Sequence, residues 1–218
     1  MEKIVIIGSP GAGKTTLARE LGPILKIKKV IHLDRLFWKR EWKGKTGDIR
    51  IDILNRLVQE KRWIIEGTYL CSSGPRLEAA DTIIFLDTPP LVCLQRIIKR
   101  HREYRGHSRR DIPEGCNDKL TLFRMLKVLV FPLRGRRRLE EELRKYNSKQ
   151  IVQLHSGKEV KDFLAQQKRF ADDMMASSTT VLVAKVAGAP EPHGSGASAA
   201  LLPLSSRIRS AIAGLRFR

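Results

Sequence analysis

Eight residues near the start of the chain, Gly8-Ser9-Pro10-Gly11-Ala12-Gly13-Lys14-Thr15, have the types and the spacing that phosphate chemistry requires. They fit G-x-x-x-x-G-K-[ST], behind an apolar run (Ile4-Val5-Ile6-Ile7) and ahead of a helix-forming one (Leu17-Ala18-Arg19-Glu20-Leu21). Glycines let a backbone curl with its N–H groups pointing inward, and the positive end of the following helix adds to the attraction for an anion. Lys14 is a mobile point charge for β/γ-phosphates, and the Thr15 hydroxyl suits Mg²⁺. Nucleotide binding is therefore expected over Gly8, Ser9, Pro10, Gly11, Ala12, Gly13, Lys14, Thr15 and the adjoining Thr16.

Three further groups could complete a reaction centre. Glu66 closes the apolar stretch Trp63-Ile64-Ile65, a place where a carboxylate orients Mg²⁺ or its water, or else caps a turn. Asp34 and Arg35 follow Lys29-Val30-Ile31-His32-Leu33. An Asp there can take a proton from a substrate hydroxyl and an Arg can clamp an anion, unless the two are only a surface ion pair. Arg96 and Arg100 lie at i, i+4, with Arg105, Arg109 and Arg110 beyond, a supply of guanidinium groups for a migrating phosphoryl group or simply a solvated basic face. His32, with apolar neighbours, reads as a core or pocket histidine. Trp38 and Tyr69 suit either stacking on a ring or packing.

The elements that must hold these groups follow from periodicity. Short apolar runs at Ile4–Ile7, Lys29–Leu33, Trp63–Ile65, Thr82–Leu86 and Gln150–Leu154 alternate with helical patterns. Those patterns begin with Leu17, Leu21 and Leu25 and continue with Ile51, Leu54, Leu57 and Val58. Later ones are Leu91, Leu94 and Ile98, segments near Leu120–Val130 and Leu139–Tyr146, and a closing helix near Lys158–Gln167. Strands alternating with helices predict a parallel sheet covered on both faces, with ligands at the carboxyl ends of its strands. Gly8, Asp34, Glu66 and Asp87 all fall there. Tyr104–Pro113 is polar and aperiodic, a loop.

Composition bounds the remainder. The 218 residues carry a formal net charge of +19. From Arg96 to Lys149 there are 17 Lys/Arg against 7 Asp/Glu, a clamp for a polyanionic small substrate or a nucleic-acid patch. Within it, Arg136-Arg137-Arg138 precedes Glu140-Glu141-Glu142, which reads as an exposed, salt-bridged helix. Cys71, Cys93 and Cys116 show no paired spacing, so neither a disulfide framework nor a zinc site is expected. A first strand that begins directly behind Met1-Glu2-Lys3 and no stretch near the ~18 residues of a membrane span predict a cytoplasmic protein. Residues 1–169 read as one domain; 170–218, rich in Ala, Gly, Pro and Ser over Ala187–Ser206, read as a mostly disordered appendage with a short basic amphipathic end.

Several motifs in order carry a family resemblance: Gly8–Thr15, His32-Leu33-Asp34-Arg35-Leu36-Phe37-Trp38, Trp63-Ile64-Ile65-Glu66-Gly67-Thr68-Tyr69, Arg76-Leu77-Glu78, Ile83–Asp87 and Tyr104-Arg105-Gly106. Over about Met1–Leu164 the chain resembles the adenylate-kinase-like P-loop proteins known as DNA topology modulation proteins (FlaR-related). That resemblance implies a three-layer P-loop NTPase fold of the nucleoside-monophosphate-kinase type. It has a parallel five-stranded sheet, a short Arg-rich lid, ATP as donor and Mg²⁺ as cofactor. It implies Lys14, Asp34, Arg96, Arg100 and Arg105 as catalytic, Thr15 and Glu66 as metal-holding, and Asp34, Arg35, Gly67, Tyr69 and Arg76 on the acceptor side. Relatives carry Asp where Glu66 stands, and a polar or basic residue where Cys71 stands. The expected activity is Mg-dependent phosphoryl transfer to a small nucleotide-like or hydroxyl acceptor. The alternative is a nucleic-acid-associated ATPase that affects DNA topology.

Overall fold

A computed structural model describes residues 1–38, 44–104 and 121–186. Arg105, Arg109, Arg110, Cys116 and most of the expected loop therefore lie outside the described residues. Two compact units, Met1–Ala176 and Ser177–Arg218, divide the chain; of the second, only the helical residues up to Val186 are described.

Five strands, β1 (Lys3–Gly8), β2 (Val30–His32), β3 (Trp63–Glu66), β4 (Thr82–Leu86) and β5 (Gln150–Leu154), form one all-parallel sheet in the order β2-β3-β1-β4-β5. Their sequences are near-continuous in Val, Ile and Leu because both faces are covered, as parallel sheets require. Alternate residues serve opposite cores. Ile4 and Ile6 pack with Leu17 and Leu21 of α1 (Lys14–Ile24), Cys93 and Ile97 of α5 (Pro90–Glu103), and Phe163 and Leu164 of α8 (Gly157–Val186). Val5 and Ile7 pack with Leu33 and Phe37 of α2 (Leu33–Phe37), Leu54 of α3 (Gly47–Leu57) and Leu77 of α4 (Gly74–Ala79). The expected three-layer fold with a central parallel sheet is what the structure shows.

Several local readings are corrected. Asp34 and Arg35 stand on α2, a five-residue helix that begins directly after a three-residue β2, and do not end a strand. The core stripe of α5 is Cys93 and Ile97, while Leu91 is 67% exposed. The helix starts at Pro90 and presents the Cys93 carbonyl to Gly11, and that contact sets its rotation. Helix α8 runs to Val186, past the expected end near Gln167, through a stretch with no Gly or Pro to stop it.

Helix α6 (Leu122–Val130) continues through a single π turn, Phe131–Gly135, into α7 (Arg136–Arg144). The register shift at this turn changes which core the rod feeds. Val128 packs in the α1/α5 cluster, and Leu139 and Leu143 pack in the α2/α3/α4 cluster. One helical rod thus feeds both cores, its corner at Phe131 and Arg136 lying by Asp87 and His155 at the carboxyl ends of β4 and β5.

Candidate active site

Parallel register brings the functional side chains to one edge, since Ile6 pairs with Glu66, Glu66 with His32, and Gly8 with Leu86. The phosphate loop follows immediately after β1. Gly8 has φ +150°, and a Cβ there would stand 2.4 Å from the Leu86 carbonyl oxygen. Gly11 has φ +82°, and a Cβ would lie 2.5 Å from the Cys93 carbonyl oxygen. Only glycine fits either place. Lys14 Nζ donates to the Gly8 and Ser9 carbonyls at 3.0 and 2.9 Å. Burial lowers its pKa, with Glu66 and then Asp34 opposing that shift. Arg96 Nη1 donates to the Ala12 carbonyl at 2.9 Å and the Thr88 hydroxyl does so at 3.3 Å, so both clasp the loop from outside. Arg100 is within electrostatic reach of Lys14. Pro10 and Thr16 are exposed on the loop's outer side.

Glu66, only 4% exposed, is the node beside this loop. Thr15 Oγ1 donates to Glu66 Oε1 at 3.0 Å, and His32 Nδ1 lies 3.0 Å from the same oxygen. Neither residue engages the second carboxylate oxygen. Among the described residues, no cluster of three or more His, Cys, Asp or Glu side chains could hold a metal alone. The Thr15 hydroxyl and the Glu66 carboxylate are hard oxygen donors side by side at a phosphate loop. That set fits Mg²⁺, which takes one or two protein oxygens together with phosphates. Sequence reasoning left His32 as a pocket residue; only strand pairing across 34 positions shows that it fixes the Glu66 carboxylate.

Asp34 is exposed, and its Oδ1 accepts a hydrogen bond from the Tyr69 hydroxyl. Trp38 Nε1 in turn donates to that hydroxyl at 2.7 Å. The Tyr69 ring meets Phe37 edge-on, with centroids 4.9 Å apart, and the Arg50 guanidinium lies 5.3–5.7 Å from the Phe37, Trp38 and Tyr69 rings. Burial, followed by the Asp34 charge, raises the Tyr69 pKa, so the phenol stays a donor. In this structure Tyr69 positions Asp34 instead of offering a free face for stacking. Gly67, at φ +135°, packs against Leu33 at the start of α2, and Arg35 is exposed on that helix. Arg76 is fully buried on α4, with Nη2 donating to the Thr68 carbonyl at 2.9 Å.

A second cluster escaped the sequence reading. Asp87 Oδ2 gathers Arg136 Nη2, His155 Nδ1 and Gln153 Nε2, each at 3.2 Å. Ser9, Pro90, Phe131, Arg136 and His155 line the adjoining cavity of about 260 Å³. Arg136 also keeps the expected pair with Glu140, at 2.7 Å, so the exposed salt-bridged helix is correct for one contact and incomplete for the residue. The π turn that aims Phe131 and Arg136 inward leaves no periodicity signal.

The family model for the AAA domain matches residues 3–150. The chain belongs to that family. As a member of it, the chain is 31% identical over 128 residues to a putative adenylate kinase of Pyrococcus furiosus, an alignment covering 58% of this chain and 68% of the relative. Among solved structures it is similar to the shikimate kinase of Acinetobacter baumannii in complex with shikimate (17% identity, TM-score 0.48, covering 83% of this chain and 94% of that one). It is also similar to the shikimate kinase of Bacteroides thetaiotaomicron (17%, TM-score 0.45, 78% and 97%). The family match and the relative make this a kinase-like P-loop domain. No helix among the described residues is long and apolar enough to cross a membrane.

Proposed function

We propose that the protein is a Mg-dependent phosphotransferase that uses ATP and a small acceptor bearing a hydroxyl. One observation carries this reading. Thr15 of the phosphate loop bonds the metal-suited Glu66 carboxylate at 3.0 Å, and Thr68, bonded to Gly8 of the same loop, is followed by the Tyr69 that holds the exposed Asp34 carboxylate, so all three groups meet at one end of the sheet. A loop serving only to hold a nucleotide has no use for the third group.

In this reading the loop amides and Lys14 hold the β- and γ-phosphates, and the cavity at Phe131, Arg136 and His155 takes the nucleoside end. Thr15 and Glu66 hold Mg²⁺, which would draw off charge from the phosphate oxygens. Asp34, held by Tyr69, accepts the acceptor's hydroxyl proton as that oxygen bonds to the terminal phosphorus and the bond to the ADP oxygen breaks. Arg96 keeps the loop in shape, and Arg100 adds positive charge beside Lys14. Arg105, outside the described residues, is proposed as a lid contribution, and Arg35 as an outer acceptor contact. The adenylate kinase relative supports this reading at the level of reaction class.

The test is phosphoryl transfer from labelled ATP to a panel of nucleosides, nucleotides and sugars. Transfer that requires Mg²⁺ and disappears in Lys14→Ala is expected; slow hydrolysis with no labelled acceptor refutes it. The rival reading, a nucleic-acid-associated ATPase affecting DNA topology, predicts duplex binding that weakens steeply with salt. The Arg136 and Lys145 ion pairs already engage part of the basic region with Glu140, Glu142 and Asp87.

A further inference from the structure

Helix α6 turns its leucines away from the core. Leu122, Leu126, Leu129 and Leu133 fall at i, i+4, i+7 and i+11 along α6 and the π turn, the spacing of one side of a helix, and they are between 42% and 81% exposed. The side that faces the protein is held by Val128, fully buried in the α1/α5 cluster. An apolar row at this spacing ordinarily marks the face a helix buries; here a helix anchored through Val128 presents the row to solvent. The four side chains expose on the order of 400 Å², an extent at which a contiguous apolar patch marks a protein or membrane contact.

Charge decides what fits this row. From Leu122 to Leu139 the chain has six Lys and Arg and no Asp or Glu. Arg134, Arg137 and Arg138 are exposed, and no ion pair among the described residues engages them. A second copy of the rod would set like charges against each other, and roughly 400 Å² is about half of what each side of a stable protein interface buries. A nucleic acid would answer the arginines and gain nothing from the leucines. An anionic lipid surface answers both, because leucines sink to the boundary of headgroups and acyl chains while Lys and Arg meet the headgroups. The sequence repeats the combination once more, with Ile208, Ile212 and Leu215 set among Arg207, Arg209 and Arg216. Stable attachment to a bilayer takes two such weak anchors.

We propose that the α6 rod docks on an anionic lipid surface, with Leu122, Leu126, Leu129 and Leu133 in the headgroup layer and Arg134, Arg137 and Arg138 against its charge. This is attachment to one leaflet without a span, and it is independent of the phosphotransfer reading.

The test is co-sedimentation of the full chain with two kinds of vesicle, phosphatidylcholine alone and phosphatidylcholine equimolar with phosphatidylglycerol. Binding to the anionic vesicles should be at least tenfold stronger and should weaken with salt. Changing Leu122→Ser, Leu126→Ser and Leu133→Ser together should lower it about tenfold or more with the melting temperature unchanged, since all three are exposed. Arg134→Gln, Arg137→Gln and Arg138→Gln together should remove most of the preference for anionic lipid; if the leucine variant fails to fold, this one decides, and unchanged binding overturns the proposal. Wild-type binding by a folded leucine variant overturns it, and so does a loss confined to Ile212→Ser, which would place the anchor in the tail alone. A wild type that ignores both vesicles overturns it too, whether it retains duplex DNA instead or forms a dimer that the leucine variant dissolves.

Discussion

Replacing Arg76 by methionine should stabilise the protein, a direction opposite to that of most core substitutions. The side chain is fully buried, and desolvation, only partly offset by Glu66 and Tyr69, drops its pKa well below the usual arginine range, to about 10. At 1.36 kcal/mol per pH unit this drop corresponds to about 3 kcal/mol of destabilisation at neutral pH. Methionine of similar length removes that cost and keeps most of the packing, while the orphaned Thr68 carbonyl costs roughly 1–2 kcal/mol. A net gain of about 1–2 kcal/mol remains, within the range seen when buried ions are replaced by apolar side chains. The sign of the pH dependence follows. The folded-state pKa lies below the unfolded one, so from about pH 10 upward the unfolded chain binds more protons and the wild type gains stability as pH rises. The advantage of Arg76→Met should therefore be full at pH 7–8 and narrow as pH climbs past 10. Urea unfolding at pH 7.5, 9 and 10.5, with the slope m compared between the two proteins, measures it. A variant destabilised by 1 kcal/mol or more at pH 7.5, with unchanged m, would show that Arg76 is held by the fold and would refute the reasoning.

Two other outcomes can be checked with single substitutions. Gly8→Ala places a methyl group 2.4 Å from the Leu86 carbonyl oxygen at φ +150° and should cost roughly 2–3 kcal/mol in chemical denaturation, whereas Gly47→Ala, with open space around it at the start of α3, should be neutral or stabilise by up to about 1 kcal/mol. His32→Ala frees the Glu66 carboxylate from one of its two hydrogen bonds and should weaken Mn²⁺ binding to the nucleotide complex about tenfold by paramagnetic resonance, with metal-free nucleotide affinity unchanged.

Much of this molecule could be read from its sequence, for reasons tied to distance along the chain. The phosphate loop is a local code in which glycine positions, lysine and hydroxyl all fall within eight residues, and the five strands are short apolar runs that a two-faced sheet requires. Asp34 and Glu66 stand out because each follows such a run. What stayed hidden is contact between distant segments. Tyr69 reaches Asp34 across 35 positions and His32 reaches Glu66 across 34, so a phenol left open between stacking and packing becomes a positioning donor. Arg136 and His155 meet at Asp87 from three separate elements, and the π turn that aims Arg136 has no periodic trace. The α5 stripe was misplaced because its rotation is set by the Gly11 contact, a tertiary effect that hydrophobic spacing cannot register.

The passage of α6 and α7 from one core to the other gives the cavity beside Asp87 a mechanical role. Phe131 belongs to the π turn that forms the corner of the rod and also lines that cavity. A ligand pressed against this corner would brace Val128 on one side of the sheet and Leu139 and Leu143 on the other. Its effect on amide hydrogen exchange would then appear in both layers at once, as though two separate floors shared one pillar.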